Sequence, residues 1–141
     1  MPERKTVLVT GGAGFMWHNL CLLLKSLNMN VHCADGLQVN SLGFYTSGYA
    51  QNPNAPMYLD FIDERLRLLR DAKIPVHVLD LRDYHLVSRL VSDVKPDAVV
   101  HLSAIAHANK SNKDPFSTFD HSMRTLENVL DATRDGVHFI Y

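Results

Sequence analysis

The stretch Thr6-Val-Leu-Val-Thr-Gly-Gly-Ala-Gly14-Phe15 decides the fold. Its first five residues are short, β-rich and free of polar alternation, the pattern of a strand buried on both faces. Gly11, Gly12 and Gly14 then break the strand. Phe15 to Leu27 comes next, carrying Leu20, Leu22, Leu23, Leu24 and Leu27, and reads as a mostly buried helix. A glycine turn between strand and helix has a physical use. The helix start presents unpaired N–H groups and a partial positive charge, and glycines let a diphosphate come close to the backbone.

Outward from this unit the same alternation repeats. Asn28-Met-Asn30 ends the helix, and Val31-His-Cys-Ala-Asp35 is a second strand. Residues 36–56 are rich in Gly, Asn, Ser, Pro and Tyr, and a loop of that length inside one domain is commonly functional or mobile. Met57 to Ala72 is an amphipathic helix, with Tyr58, Phe61, Ile62, Leu66 and Leu69 at helical spacing. Pro75 to Asp80 is a third strand, Tyr84 to Val94 a helix, and Ala98 to Leu102 a fourth strand. A polar loop from Ala104 to Pro115 leads to a helix over Phe116 to Arg134, whose apolar side holds Phe119, Met123, Leu126, Val129 and Leu130. Gly136 supplies a left-handed stop, and Val137 to Tyr141 begins a fifth strand. Because the chain stops inside that strand, we expect a domain that continues or a fragment. Alternating strands and helices imply a parallel sheet with helices on both faces.

The polar residues fall at the strand ends, where open α/β sheets bind ligands. Asp35 stands about 20 residues beyond Gly14, where a carboxylate can accept hydrogen bonds from the adenosine ribose hydroxyls of a dinucleotide. It would repel the extra phosphate of NADP, and no Arg or Lys lies in Asp35-Gly-Leu-Gln38, so NAD is the expected cofactor. Asp80-Leu81 ends the third strand and His101-Leu-Ser-Ala104 the fourth.

Bulk properties agree with one soluble domain over residues 1–141: 46% apolar, 21% charged and a formal net charge of -1. That balance argues against a nucleic-acid or anionic-membrane footprint. No signal peptide or stretch of about 18 apolar residues is present, so a cytoplasmic location is expected. Cys21 and Cys33 read as buried free thiols.

Together, Thr10-Gly-Gly-Ala-Gly-Phe15, Asp35, Asp80-Leu81 and His101-Leu-Ser-Ala104 resemble the extended short-chain dehydrogenase/reductase family, which contains the NAD-dependent sugar-nucleotide epimerases and dehydratases. The resemblance covers essentially the whole chain. It implies a Rossmann-type doubly wound sheet of order 3-2-1-4-5, without the last strands and the C-terminal substrate domain. Gly11 and Gly14 would line the pyrophosphate beside Phe15 and Met16. Asp35 would hold the ribose, Asp80 and Leu81 would flank the adenine, and Leu102, Ser103 and Ala104 would pass under the nicotinamide side. Lys110 and Ser111 would lie toward the sugar nucleotide, the partner expected of a full-length parent able to form a homodimer. Residues His101 to Pro115 are similar to the dTDP-glucose dehydratase and UDP-glucuronate epimerase branch.

Three departures stand out. Trp17 replaces the third glycine of Gly-x-x-Gly-x-x-Gly, which serves close helix–strand packing, and an overpacked site typically costs roughly 1–3 kcal/mol. His121 and Arg124 stand in the family's Asn-x-x-Gly-Thr stretch. The family's Ser/Thr and Tyr-x-x-x-Lys acid–base groups have no match, so no catalytic residue is assigned and the chain is expected to be inactive by itself. Two rivals remain: a non-catalytic nucleotide-binding regulatory module, and a structural fragment that binds nothing. Plainer readings also compete for single residues. The glycines can form a mere tight turn, Asp35 a strand-end turn and Asp80 a helix cap. Tyr45, Tyr49 and Tyr58 can simply pack. Asp63 to Arg67 reads as a solvated helix face. His101 and His107 read as packed histidines rather than a metal pair, so no metal is expected.

Overall fold

The computed structural model describes residues 4–38, 42, 46, 53–105 and 112–141. Tyr45, Tyr49, His107, Lys110 and Ser111 lie outside the described residues. Five parallel strands form one sheet in the order β3-β2-β1-β4-β5, as expected. They are β1 (Thr6–Thr10), β2 (Asn30–Asp35), β3 (Val76–Val78), β4 (Ala98–His101) and β5 (His138–Ile140). The helices are α1 (Trp17–Ser26), α2 (Ala55–Asp71), α3 (Tyr84–Val94), α4 (Pro115–Phe119) and α5 (Thr125–Ala132), with a π-helical turn over Asp120–Arg124 between the last two.

Side-chain alternation along β1 and β2 builds two cores. Val7, Val9, Val31 and Cys33 face Cys21 of α1, Leu69 of α2 and Ile74 on one side. Leu8, Ala34 and Val99 face Leu81, Val87, Leu90, Val91 and Val129 on the other. Each fully buried Val or Leu contributes about 1.5–3 kcal/mol, so the two layers hold the sheet between helix pairs. Thr6 N donates to Asp97 Oδ2 at 2.7 Å and Lys5 Nζ to Asp97 Oδ1 at 3.1 Å, which fixes the entry into β4 beside the start of β1.

Helix faces differ from the sequence reading in several places. In α1 the buried positions are His18 and Cys21, whereas Leu23 and Leu27 are exposed, so this helix is amphipathic rather than mostly buried. In α2, Ile62, Arg65 and Leu69 are buried while Phe61 is half-exposed. Arg65 therefore leaves the solvated face expected of Asp63 to Arg67; Glu64 and Arg67 do form an exposed ion pair. The helix expected over Phe116 to Arg134 is three segments. The wider π turn rotates the segment after it, so α5 turns Thr125 and Val129 inward and leaves Leu130 exposed, with Phe119 and Met123 exposed before it. Gly136 takes the left-handed conformation, φ 87°, and Asn28 likewise ends α1 at φ 65°.

The cap of α3 is Asp83, whose carboxylate accepts from His85 N and Leu86 N; Asp80 does not fill that role. Replacing Asp83 by Ala is expected to lower stability by about 1 kcal/mol, read as a shifted urea midpoint at unchanged slope.

Burial of His101 gives a second expectation. Desolvation lowers its pKa from 6.5 to about 4. The unfolded chain therefore takes up this proton first. The stability that His101 contributes is whole above pH 6.5 and is lost as pH falls toward 4, by up to about 3 kcal/mol. In urea unfolding at pH 7 and pH 4, His101→Gln should lose less stability on acidification than the wild type. Parallel losses would refute this.

Candidate functional site

The carboxyl ends of β1, β2, β3 and β4 bring most of the expected site residues to one edge of the sheet. Gly11 leaves β1 at φ 72°, and its N–H donates to Ala34 O at 2.7 Å, binding the turn to β2. A Cβ on Gly11 would stand 3.0 Å from the backbone of Leu102 and Ser103, so glycine is what lets the turn close over the end of β4. Gly12 rests on two sulfurs: a Cβ there would meet Cys33 Sγ at 2.8 Å and Cys21 Sγ at 3.0 Å. Both thiols are free and buried, as expected.

Trp17 does not wedge the helix off the sheet. It opens α1 half-buried, and its Cδ1 lies alongside Gly14, 3.3 Å from where a Cβ would be. His18 and Cys21 take the sheet-facing positions instead, and His18 Nδ1 is 3.1 Å from Gly14 O. Phe15 and Met16, directly after the turn, are 77% and 62% exposed, so the approach to the turn is open on that side.

Asp35 points back at the turn. Its Oδ2 accepts from Ala13 N at 3.1 Å and its Oδ1 from Leu37 N at 2.8 Å. Burial pushes its carboxyl above the usual range, while those two N–H groups and the Arg65 guanidinium pull it down. Arg65 reaches the same turn from α2: Nη1 donates to Ala13 O at 3.3 Å and Nε to Phe61 O at 3.1 Å. The sequence reading missed it, because charged neighbours on both sides disguise the Ile62, Arg65, Leu69 stripe.

Asp80 is held by Arg82, which donates to its carboxylate through Nε and Nη2 and through its own backbone N–H. The hydrogen bond from Arg82 keeps the Asp80 carboxyl below the usual range. Arg82 Nη1 also donates to Asp120 Oδ2 at 3.1 Å, and Asp120 pairs with Arg124. These residues, with Asp83 and Phe116, line an open cleft of about 520 Å³. The Leu81 side chain is buried in the core, so only its backbone and Asp80 stay near the strand ends; Leu81 O accepts from Asn128 Nδ2.

His101 is buried at the end of β4, with Nδ1 2.8 Å from Thr10 Oγ1 and its ring stacked on Phe139. Its Nε2 has no partner among the described residues. Beyond it, Ser103 is half-buried and Ala104 exposed. The replaced Asn-x-x-Gly-Thr stretch still ties down this loop: Ser122 Oγ accepts from Ile105 N at 3.3 Å, and Thr125 Oγ1 lies 3.5 Å from Ser103 O. Ser122 was not legible as a support, since the π turn places it there. Among the described residues no group of three or more metal-ligating side chains occurs, and no helix is long and apolar enough to cross a membrane.

Comparison with known proteins agrees with this geometry. UDP-glucose 4-epimerase of Drosophila melanogaster is 26% identical over 138 residues, covering 96% of this chain and 36% of the relative. The chain thus spans about a third of the length of the curated relatives it matches. The crystal structure of UDP-glucose-4-epimerase from Stenotrophomonas maltophila, with bound NAD and formylated UDP-arabinopyranose, superposes with a TM-score of 0.68 at 25% identity, over 96% of this chain and 36% of that one. The Thermus thermophilus UDP-glucose 4-epimerase complex with NAD gives 0.64 at 27% identity, over 90% and 33%. A sequence profile of the NAD dependent epimerase/dehydratase family matches residues 7–141. With the strand order, the glycine turn and the placement of Asp35 all in that pattern, the chain belongs to the NAD dependent epimerase/dehydratase family.

Proposed function

We propose that this chain is the dinucleotide-binding part of a UDP-sugar 4-epimerase, and that it binds NAD in preference to NADP. The observation that carries the reading is the Asp35 carboxylate at the end of β2, anchored through Ala13 N to the Gly11–Gly14 turn. The residues fit the group. The turn is closed enough to exclude a Cβ at Gly11, Phe15 and Met16 leave its approach open, and Asp35 presents an anion suited to a ribose diol and hostile to a 2′-phosphate. Gly11, Gly14, Phe15 and Met16 would serve the pyrophosphate. Asp80 would sit by the adenine, its charge shared with Arg82. Leu102, Ser103 and Ala104 would border the nicotinamide side.

In such enzymes the nicotinamide supplies reversible hydride transfer at a sugar carbon. This chain's share is to bind and orient. Its described strand-end residues include no paired acid and base for the sugar hydroxyl, and no catalytic role is assigned to any of them. The 4-epimerase assignment rests on the relatives, which include UDP-glucose 4-epimerases and a probable UDP-arabinose 4-epimerase of Arabidopsis thaliana. They lend the dTDP-glucose dehydratase and UDP-glucuronate readings no support.

Calorimetry of the 141-residue chain with NAD, NADP and ADP-ribose tests the reading. Heat is expected with NAD and ADP-ribose and little with NADP. Asp35→Asn should weaken NAD binding by about 1.5–3 kcal/mol, the range for hydrogen bonds to a charged group. Sugar-nucleotide conversion should stay at the buffer blank. Absence of binding to all three at millimolar ligand favours the structural-fragment reading, and turnover above blank overturns the division of labour.

A further inference from the structure

Ala13 is gripped from two sides. Its N–H is held by the Asp35 carboxylate at 3.1 Å, and its carbonyl by the Arg65 guanidinium at 3.3 Å. Arg65 is 8% exposed, an unusual burial for an arginine on a helix otherwise lined with exposed charges. A buried cation needs an anion close by, and a buried carboxylate needs a cation. Asp35 and Arg65 answer each other across a single residue of the glycine turn.

We propose that Arg65 is a positioning residue for the dinucleotide: it clamps Ala13 against Asp35 and supplies the counter-charge that lets the Asp35 carboxylate face a ribose diol. The proposal rests on the NAD-binding reading above and adds to it a role for a residue outside the glycine turn and the strand ends. Its physical core is a balance. Burial pushes the Asp35 carboxyl up, and the pull in the other direction comes from Leu37 N, Ala13 N and Arg65. On the Arg65 side, burial lowers the guanidinium and Asp35 restores it. Two other titratable groups face Asp35: the Cys21 thiol from α1 and the Cys33 thiol on its own strand. The hydrogen bond with Cys21, then burial, push the Cys33 thiol up. Without Arg65 only the two N–H groups would oppose desolvation, and the Asp35 carboxyl would be pushed further up. A protonated carboxyl can accept less and must donate, so it grips a diol poorly.

Arg65→Gln removes the charge but keeps an amide donor for Ala13 O, and Arg65→Lys keeps the charge. The dissociation constant for NAD is measured by calorimetry from pH 8 to pH 5.5 for the wild type and both variants. The wild type, which carries any contribution from the two thiols, is expected to stay within about threefold. Arg65→Gln should weaken by more than that threefold over the same range, because its Asp35 carboxyl is raised further. Arg65→Lys should follow the wild type. A pH-independent loss shared equally by both variants marks a purely structural residue and overturns the proposal, as does a Gln variant that tracks the wild type. Should the Gln variant fail to fold, carbon NMR titration of the Asp35 carboxyl decides instead. A midpoint shared by the wild type and Arg65→Lys supports the proposal, and one that rises in Arg65→Lys overturns it. Failure of the wild type to bind NAD at any pH removes the underlying reading and this role together.

Discussion

One contact pair organises the molecule. Gly11 N donates to Ala34 O and Ala13 N donates to Asp35, so the turn after β1 is fastened to the last two residues of β2. Everything near the turn accommodates this seam. Gly11 needs a positive φ and has no room for a Cβ against Leu102 and Ser103. Gly12 sits on Cys21 and Cys33, so even alanine would drive into two sulfurs held by the packed interior. The turn is therefore shaped from below by thiols, from one flank by β4 and from the other by Asp35. A backbone fixed on three sides keeps its shape without help from a ligand.

The parts of the fold that were legible share one cause. Strands buried on both faces read as apolar runs, and Thr6 to Thr10 and Ala98 to Leu102 did so. The alternation of such runs with helices determines a parallel sheet, and the glycine turn with an acidic residue about 20 positions on determines where β2 must lie relative to β1. Among the expected site residues, the place of Asp35 at the end of β2 was readable because it depends on position along the chain. Arg65 was not, because its role depends on a tertiary neighbour. Its spacing from Ile62 and Leu69 already placed it on the buried stripe, but Asp63, Glu64 and Arg67 around it read as solvent-facing. Charge pattern and helical period pointed in opposite directions there, and the period was the better guide.

The helical leucines and the C-terminal helix show a different limit. Periodicity tells which residues share a face only while the period is constant. In α1 the leucines cover too wide an arc for one interface, and the small Cys21 rather than a leucine takes the closest approach to the sheet. Between α4 and α5 the period itself changes. The π turn over Asp120–Arg124 shifts the register, so that Phe119 and Met123 fall outside the stripe that carries Thr125 and Val129. The same turn brings Ser122 to Ile105 N and Asp120 to Arg82 and Arg124. A local irregularity with no sequence signature thus joins this helix to the residues after β4 and to Arg82.

The electrostatics at the end of β2 derive from the same seam. An anion brought to about 4 Å from the Asp35 carboxylate meets a repulsion of about 4 kcal/mol at an effective dielectric constant near 20, enough for roughly a thousandfold discrimination. Asp35 can exert it only while ionised, and its burial works against ionisation. A carboxylate alone in that position would therefore discriminate less well the more deeply it was buried. Arg65 lessens that conflict: its charge draws the Asp35 carboxyl down, while Nη1 donates to Ala13 O and Nε to Phe61 O. The cation thus offsets part of the cost of burying the anion.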